Sequence, residues 1–149
     1  MNEKAKARLK CVDAMYELYP RGRKLIYEAF DKLGSDLTRT QQMILLALTA
    51  EDNLSMSQLA DRICTSNEQA TRAVAKLVDR DYLVRKQNTL NRRVVNITLT
   101  DKARAYIAES KQRVLDATVG RANGLSDEDM SRIHESINTV LGILNKLEG

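Results

Sequence analysis

Nine basic side chains fall between Ser66 and Arg104: Arg72, Lys76, Arg80, Arg85, Lys86, Arg92, Arg93, Lys102 and Arg104. Four acidic ones, Glu68, Asp79, Asp81 and Asp101, oppose them, a surplus of five positive charges. The whole 149-residue chain carries +4, so everything outside this stretch sums to −1. A charge run alone is usually a solvated face. Concentrated on one segment, it is also the footprint of a surface that meets phosphates. Residues for other chemistry are missing. The one histidine, His134, reads as a surface residue of the last helix, and no cysteine or carboxylate cluster has the spacing of a zinc site, so neither metal nor cofactor is expected. No His/Cys/Asp triad or glycine-rich phosphate loop is visible, and carboxylates such as Glu128 and Asp129 suit a helix N-terminus better than catalysis. The chain does not read as an enzyme.

The basic segment is positioned by a recognisable order of elements. Residues 3 to 33 read as helix, with Leu9, Val12, Met15, Tyr16 and Tyr19 on one side before Pro20, and Leu25, Ile26, Ala29, Phe30 and Leu33 continuing after it. Pro20 removes a backbone donor, so a kink or short break is expected there, and Gly34 can end the segment in a left-handed cap. A second helix starts at Thr38 or Thr40 and carries the apolar block MILLALTA, which belongs in the core. Asn53 to Ser57 reads as a connector, with Ser57 capping the short helix SQLADRI. The turn Cys64-Thr65-Ser66-Asn67 leads to a helix from about Glu68 to Arg80, on which Ala70, Ala73, Val74 and Leu77 recur at helical spacing. Two short helices joined by a tight turn make a helix-turn-helix, with the small Ala60 suited to their crossing.

After Asp81 the period drops to two. Val95, Ile97 and Leu99 alternate with Asn96 and Thr98, and Leu83 to Lys86 can pair with them as a β-hairpin. Its tip, Gln87 to Arg92, holds amides, a hydroxyl and arginine without Gly or Pro, and reads as an extended wing. Helices from Asp101 to about Arg121 and from Asp127 to about Leu147 close the chain, the latter with Ser126 as N-cap and Asp129 in a capping box. Ile133, Ile137, Val140, Leu141, Leu144 and Leu147 form an apolar stripe on it, and the first helix bears another. Together they exceed what one small helix-turn-helix needs, which predicts a homodimer. The fold class is therefore mainly α with a small β-hairpin wing. The longest apolar run is too short to span a bilayer and no signal-peptide core is present, so no membrane contact and a cytoplasmic location are expected.

LTRTQQMILLAL, followed by SQLADRICTSNEQATRAVAKLVDRDYLVRKQNTLNRRVVNITLTDKA, resembles the MarR family of winged helix-turn-helix transcriptional regulators. The most specific stretch runs from Leu77 to Thr100, with "YLVR", "NRRVV" and "ITLT" in register. The resemblance implies one MarR-like domain over residues 1–149: a winged helix-turn-helix at 38–100, and dimerisation helices at 1–35 and 102–149 forming a triangular homodimer on double-stranded DNA. It places Ser66, Asn67, Glu68, Gln69, Thr71 and Arg72 at the entrance of the recognition helix. Their chemistry agrees, since Asn and Gln pair with adenine, Arg with guanine, and hydroxyls with either base edges or phosphates. Lys76, one turn on, suits a phosphate. In the wing it implies a minor-groove arginine at Arg93 beside Arg92, with Asn88 and Asn91 in the same loop; a guanidinium suits the enhanced negative potential there.

The sequence departs from the family pattern at three positions. Asn91 stands where an acid is usual, and Cys64 and Asp81 stand where glycine often does. If those two backbones are left-handed, each costs about 1 to 2 kcal/mol, with Asp tolerated better than Cys. Peroxide-sensing relatives also carry a cysteine in the first helix, which makes Cys11, along with Cys64, a candidate redox thiol. The tyrosine motif they carry at the start of the second helix is replaced here by Arg39-Thr40-Gln41. Met15, Tyr16, Tyr19, Tyr27, Phe30 and Met43 are candidate lining of a cleft for a small aromatic effector, against the simpler reading as core. The leading expectation is a sequence-specific regulator, a repressor relieved by a ligand or other signal through a population shift. The alternatives are a winged-helix protein-interaction module, which the basic wing argues against, and a thiol-based redox-sensing regulator.

Overall fold

The computed structural model describes residues 2–120 and 123–148. Six α-helices and three short strands follow one another: α1 (Glu3–Lys32), α2 (Arg39–Ala50), β1 (Leu54–Ser55), α3 (Met56–Arg62), α4 (Asn67–Asp79), β2 (Leu83–Gln87), β3 (Val95–Leu99), α5 (Asp101–Thr118) and α6 (Asp127–Leu144). The chain divides into two compact units, Met1–Gln112 and Arg113–Gly149.

In the first unit, Ile44, Leu45 and Leu48 of α2 pack with Leu59, Val74, Leu77, Leu83, Ile97, Ala103 and Ile107. The two helices of the helix-turn-helix are thereby fixed to one core. Ala60 and Ala70 are buried in α3 and α4, where larger side chains would hold the helices apart. The caps follow from sequence. Thr38 accepts from the Gln41 backbone while the Gln41 side chain returns to the Thr38 N–H. At α3 the cap is Ser55, not Ser57. Ser55 has Gln58 three residues on to complete a reciprocal box, whereas Ser57 would have had Ala60, which can return nothing. Gly34 takes the left-handed conformation expected after α1, with φ of 66°.

The helix α1 runs through Pro20 without the expected break. The carbonyl that loses its donor is that of Tyr16, on a stretch where the side chains are exposed, so water can take the bond. The sheet has the order β1-β3-β2, with both pairs antiparallel. The strand β1 was read from sequence only as a connector; Leu54 pairs with Ile97 and Ser55 with Asn96. Being central, β3 does not keep the simple alternation: Asn96 is buried beside Ile97, while Val95, toward the wing, is half exposed. Thr100 links the wing base to α5. Its hydroxyl donates to the Asp81 and Tyr82 carbonyls and accepts from the Ala103 N–H.

In the second unit, Ser126 caps α6, and Asp129 closes the capping box that the sequence indicated. Hydrogen bonds to Ser126 hold the Asp129 carboxyl below the usual carboxylate range. No residue of α6 is buried; Ile133, Ile137, Val140 and Leu141 form an exposed apolar stripe. The expected extensions to Arg121 and Leu147 are not met as α-helix: α5 ends at Thr118, with Arg121 outside the described residues, and a 3-10 turn covers Asn145–Leu147.

Candidate nucleic-acid interface

The amphipathic pattern of α4 sorts its residues cleanly. Ala70, Ala73, Val74 and Leu77 face the core, which leaves Asn67, Glu68, Gln69, Thr71, Arg72 and Lys76 exposed together on the opposite side. Ser66 is the N-cap: its hydroxyl accepts from the Gln69 N–H at 3.2 Å, so its first duty is to start the helix. Several of the expected base-reading groups already have internal partners. The Thr71 hydroxyl donates to the Asn67 carbonyl, and Gln69 accepts the Thr65 hydroxyl through its side-chain oxygen, leaving its amide N–H groups free to donate. Arg72 pairs with Glu68 at 3.1 Å, one turn earlier. An exposed pair of this kind is worth at most about 1 kcal/mol, so exchanging Glu68 for a phosphate or guanine is cheap.

Besides Arg72, paired with Glu68, the other eight basic residues of the segment divide into two groups. Arg80 is bonded to Asp36 and lies over the Tyr82 ring, Lys102 donates to the Arg80 carbonyl and lies over the same ring, and Arg104 pairs with Asp52. These ties bind α4 and α5 to loops 44 and 52 residues away in sequence. The hydrogen bond from Arg80 holds the Asp36 carboxyl below its ordinary value. By contrast, Lys76, Arg85, Lys86, Arg92 and Arg93 have no side-chain partner among the described residues, and all five are exposed. Within the segment from Ser66 to Arg104 the free positive charge therefore lies on α4, β2 and the wing.

The wing tip is held by amides. Asn88 accepts from the Leu90 and Asn91 N–H groups through its side-chain oxygen, at 2.8 and 3.1 Å, and Asn91 accepts from the Arg93 N–H at 3.1 Å. Gln87 donates to the Arg92 carbonyl at 2.7 Å. Asn88 and Asn91, expected as contact residues, thus have their oxygens committed to positioning Arg92 and Arg93. Asn91 grips the backbone of Arg93 here, not its guanidinium.

Between α2 and α4 lies an open groove of about 490 Å3, lined by Thr38, Thr40, Gln41, Gln69, Arg72 and Lys76 among others. The expected aromatic lining does not border it. Phe30 is wholly buried and stacks on Tyr106 at 5.5 Å, while Tyr27 is covered by Arg39, whose guanidinium sits 4.4 Å from the ring centre. Burial pushes the Tyr27 hydroxyl up, with Arg23 opposing. Met15, Tyr16 and Tyr19 are exposed on the earlier turns of α1, and Met43 is partly buried on α2. Both thiols, Cys11 and Cys64, are exposed, and Cys64 is in the left-handed region with φ of 53°.

A recognition helix standing out from a helix-turn-helix core, followed by a basic wing, is the arrangement that the comparisons match. Residues 37–95 match the model of the MarR family. Over this segment the chain is similar to the MarR family. It is 29% identical over 107 residues to the HTH-type transcriptional regulator TcaR of Staphylococcus aureus, covering 70% of this chain and 68% of that one. Among solved structures, a MarR transcriptional regulator from Methanosarcina mazei Go1 superposes with a TM-score of 0.62 at 21% identity, covering 92% of this chain and 97% of that one. A structure described as reduced AbfR bound to DNA superposes with a TM-score of 0.54 at 15% identity, covering 96% and 98%. Members of that family are DNA-binding transcriptional regulators, not enzymes. Among the described residues no helix is long and apolar enough to cross a membrane.

What sequence reading missed at this interface is the set of internal ties. The acceptors Asp36 and Asp52 carried no local signal, and neither did the left-handed Asn53, φ 73°, beside Asp52.

Proposed function

We propose that this protein belongs to the MarR family and acts in the cytoplasm as a homodimeric repressor that reads a pseudo-palindromic operator, α4 entering the major groove and the wing the minor groove. The observation that carries the reading is the coincidence, on one unit, of the exposed polar face of α4 with five unpartnered cations on α4, β2 and the wing. In this reading Arg72 and Gln69 contact bases, Lys76 a phosphate, and Arg93 the minor groove. The unburied apolar residues of α1 (Leu9, Val12, Leu18) and, separately, of α6 (Ile133, Ile137, Val140) are what a second copy would cover. Two-fold symmetry then sets the half-sites about one helical turn, roughly 34 Å, apart.

Repression is relieved by a small acidic effector, for which the groove beside Arg72 and Lys76 offers cations; occupying it competes with DNA for the same side chains. The test is a fluorescence-anisotropy titration of operator candidates, first the DNA upstream of the protein's own gene, against a scrambled duplex over a salt series. The expected result is preference for one sequence, lost on Arg72→Ala, while Lys76→Ala weakens binding to every duplex alike. Equal binding to every duplex, including those recovered by selection from random DNA, overturns the reading. Analytical ultracentrifugation decides the dimer, since a monomer at micromolar concentration would refute it.

A further inference from the structure

The least buried large apolar side chain among the described residues is Leu90, 97% exposed at the tip of the wing. A single exposed leucine is ordinary. What sets this one apart is how it is held. Its own N–H and that of Asn91 are bonded to the Asn88 side chain, the Val94 N–H to the Asn91 carbonyl, and the Asn88 N–H to the Val94 carbonyl. The loop is tied on both sides of Leu90, and the side chain is not folded back onto the apolar surface that Val84 and Val95 expose on the same hairpin. Two and three residues on stand Arg92 and Arg93, whose guanidinium groups have no partner among the described residues.

We propose that Leu90 is a minor-groove wedge: the wing delivers it, beside the minor-groove Arg93, between the sugar walls of A·T-rich DNA flanking the recognised half-site, while Arg92 holds a neighbouring phosphate. This rests on the wing meeting DNA as proposed above. The minor groove is only about 6 Å wide, and its floor at A·T pairs carries acceptors without protruding groups, whereas each G·C pair adds the guanine amino group. An isobutyl side chain makes no hydrogen bond to that floor but excludes water from it and fits where no amino group stands. At flexible steps such as TA it can also prise the stack open, which apolar minor-groove side chains do elsewhere. Leu90 would therefore confer sequence preference at positions that no polar side chain touches.

The test uses the full-length chain and an operator recovered by selection from random duplexes, synthesised with A·T, G·C or inosine·C pairs in the flanks. Inosine lacks the guanine amino group, so it presents the minor groove of an A·T pair while keeping G·C features in the major groove. For the wild type, affinity is expected to be high on A·T flanks, about tenfold lower on G·C flanks and restored by inosine. Leu90→Ala and Leu90→Asn should bind all three flanks equally, at the level of the wild type on G·C. Their salt dependence should stay unchanged, because leucine neutralises no phosphate, whereas Arg93→Ala should reduce the slope by about one. If the Leu90 variants keep the wild-type preference while Arg93→Ala weakens binding, the wedge is refuted and the wing reading stands. If Arg93→Ala also changes nothing, the wing does not meet DNA and both fall. Circular dichroism of the Leu90 variants controls for folding, which a residue this exposed should not affect.

Discussion

Replacing Cys64 by glycine should make the protein more stable, although glycine is ordinarily destabilising. Cys64 and Asp81 sit at φ of 53° and 60°, one at the turn between the two helices of the helix-turn-helix and the other just after α4. An L-residue in that region loses about 1 to 2 kcal/mol to the clash of its Cβ with the following carbonyl. Glycine removes the clash but returns about 0.5 to 1 kcal/mol through the greater freedom of the unfolded chain. The balance for Cys64→Gly is a gain of about 0.5 to 1 kcal/mol. For Asp81→Gly the gain is smaller, because the short polar side chain of aspartate tolerates this conformation better. Gly34, at φ of 66°, supplies the opposite sign: a Cβ there meets nothing within 4 Å, so Gly34→Ala suffers only the backbone strain and should lose about 1 kcal/mol. Urea unfolding followed by circular dichroism, at one protomer concentration because association shifts apparent stability, would move the midpoint by a few tenths of a molar, given slopes of about 1 to 3 kcal/mol/M. A loss of stability in Cys64→Gly, or an unchanged Gly34→Ala, refutes the argument.

Ser66→Ala should destabilise the protein by about 1 kcal/mol and Ser66→Gly by only a few tenths, read as urea midpoints, because the N-cap of α4 tolerates glycine better than alanine. Asp31, Asp36 and Asp129 have lowered pKa values, through hydrogen bonds from Arg39, from Arg80 and from Ser126 respectively, so each contributes stability above its unfolded value near 4. That contribution is lost as pH falls through the lower folded value, and Asp36→Asn should flatten the acid limb of a stability profile below about pH 5 while leaving its neutral limb shallow. In DNA titrations the salt slope should reach about −4 to −5 per protomer if all five unpartnered cations meet phosphates. Arg85→Ala should reduce it by about one, and Arg104→Ala, whose guanidinium is already paired with Asp52, should leave it nearly unchanged.

The sequence was most legible where one short stretch decides the outcome. Thr38 with Gln41, Ser126 with Asp129 and Gly34 after α1 each carry a local signal within a few residues, and each cap forms. It was misleading where two local signals compete: both Ser55 and Ser57 are competent caps, and only the identity of the residue three positions later separates them. Pro20 does not interrupt α1, where water can take the bond of the orphaned Tyr16 carbonyl. The strand β1 is two residues long and exists because β3, some forty residues on, offers an edge; no local pattern could announce it. At the candidate interface, residue types point to α4 and the wing. They could not tell which arginines are free, because Arg80 and Arg104 are claimed by aspartates that only the fold brings near.

That division of the basic residues also bears on how tightly the reading head is defined. Counting charges treats Arg80, Lys102 and Arg104 as equal to Arg92 and Arg93, but the first three fasten the ends of α4 and α5 to the body while the last two extend from the amide-tied loop. Removing an anchor should alter where α4 and the wing stand, and so disturb recognition of bases together with stability. Removing a free cation should alter only the strength of the phosphate contact, uniformly across sequences. The wing follows the same logic with neutral groups. Where the family often has an acid, Asn91 positions the Arg93 backbone and leaves the guanidinium with its full charge, so the loop is ordered without drawing on the charge it presents.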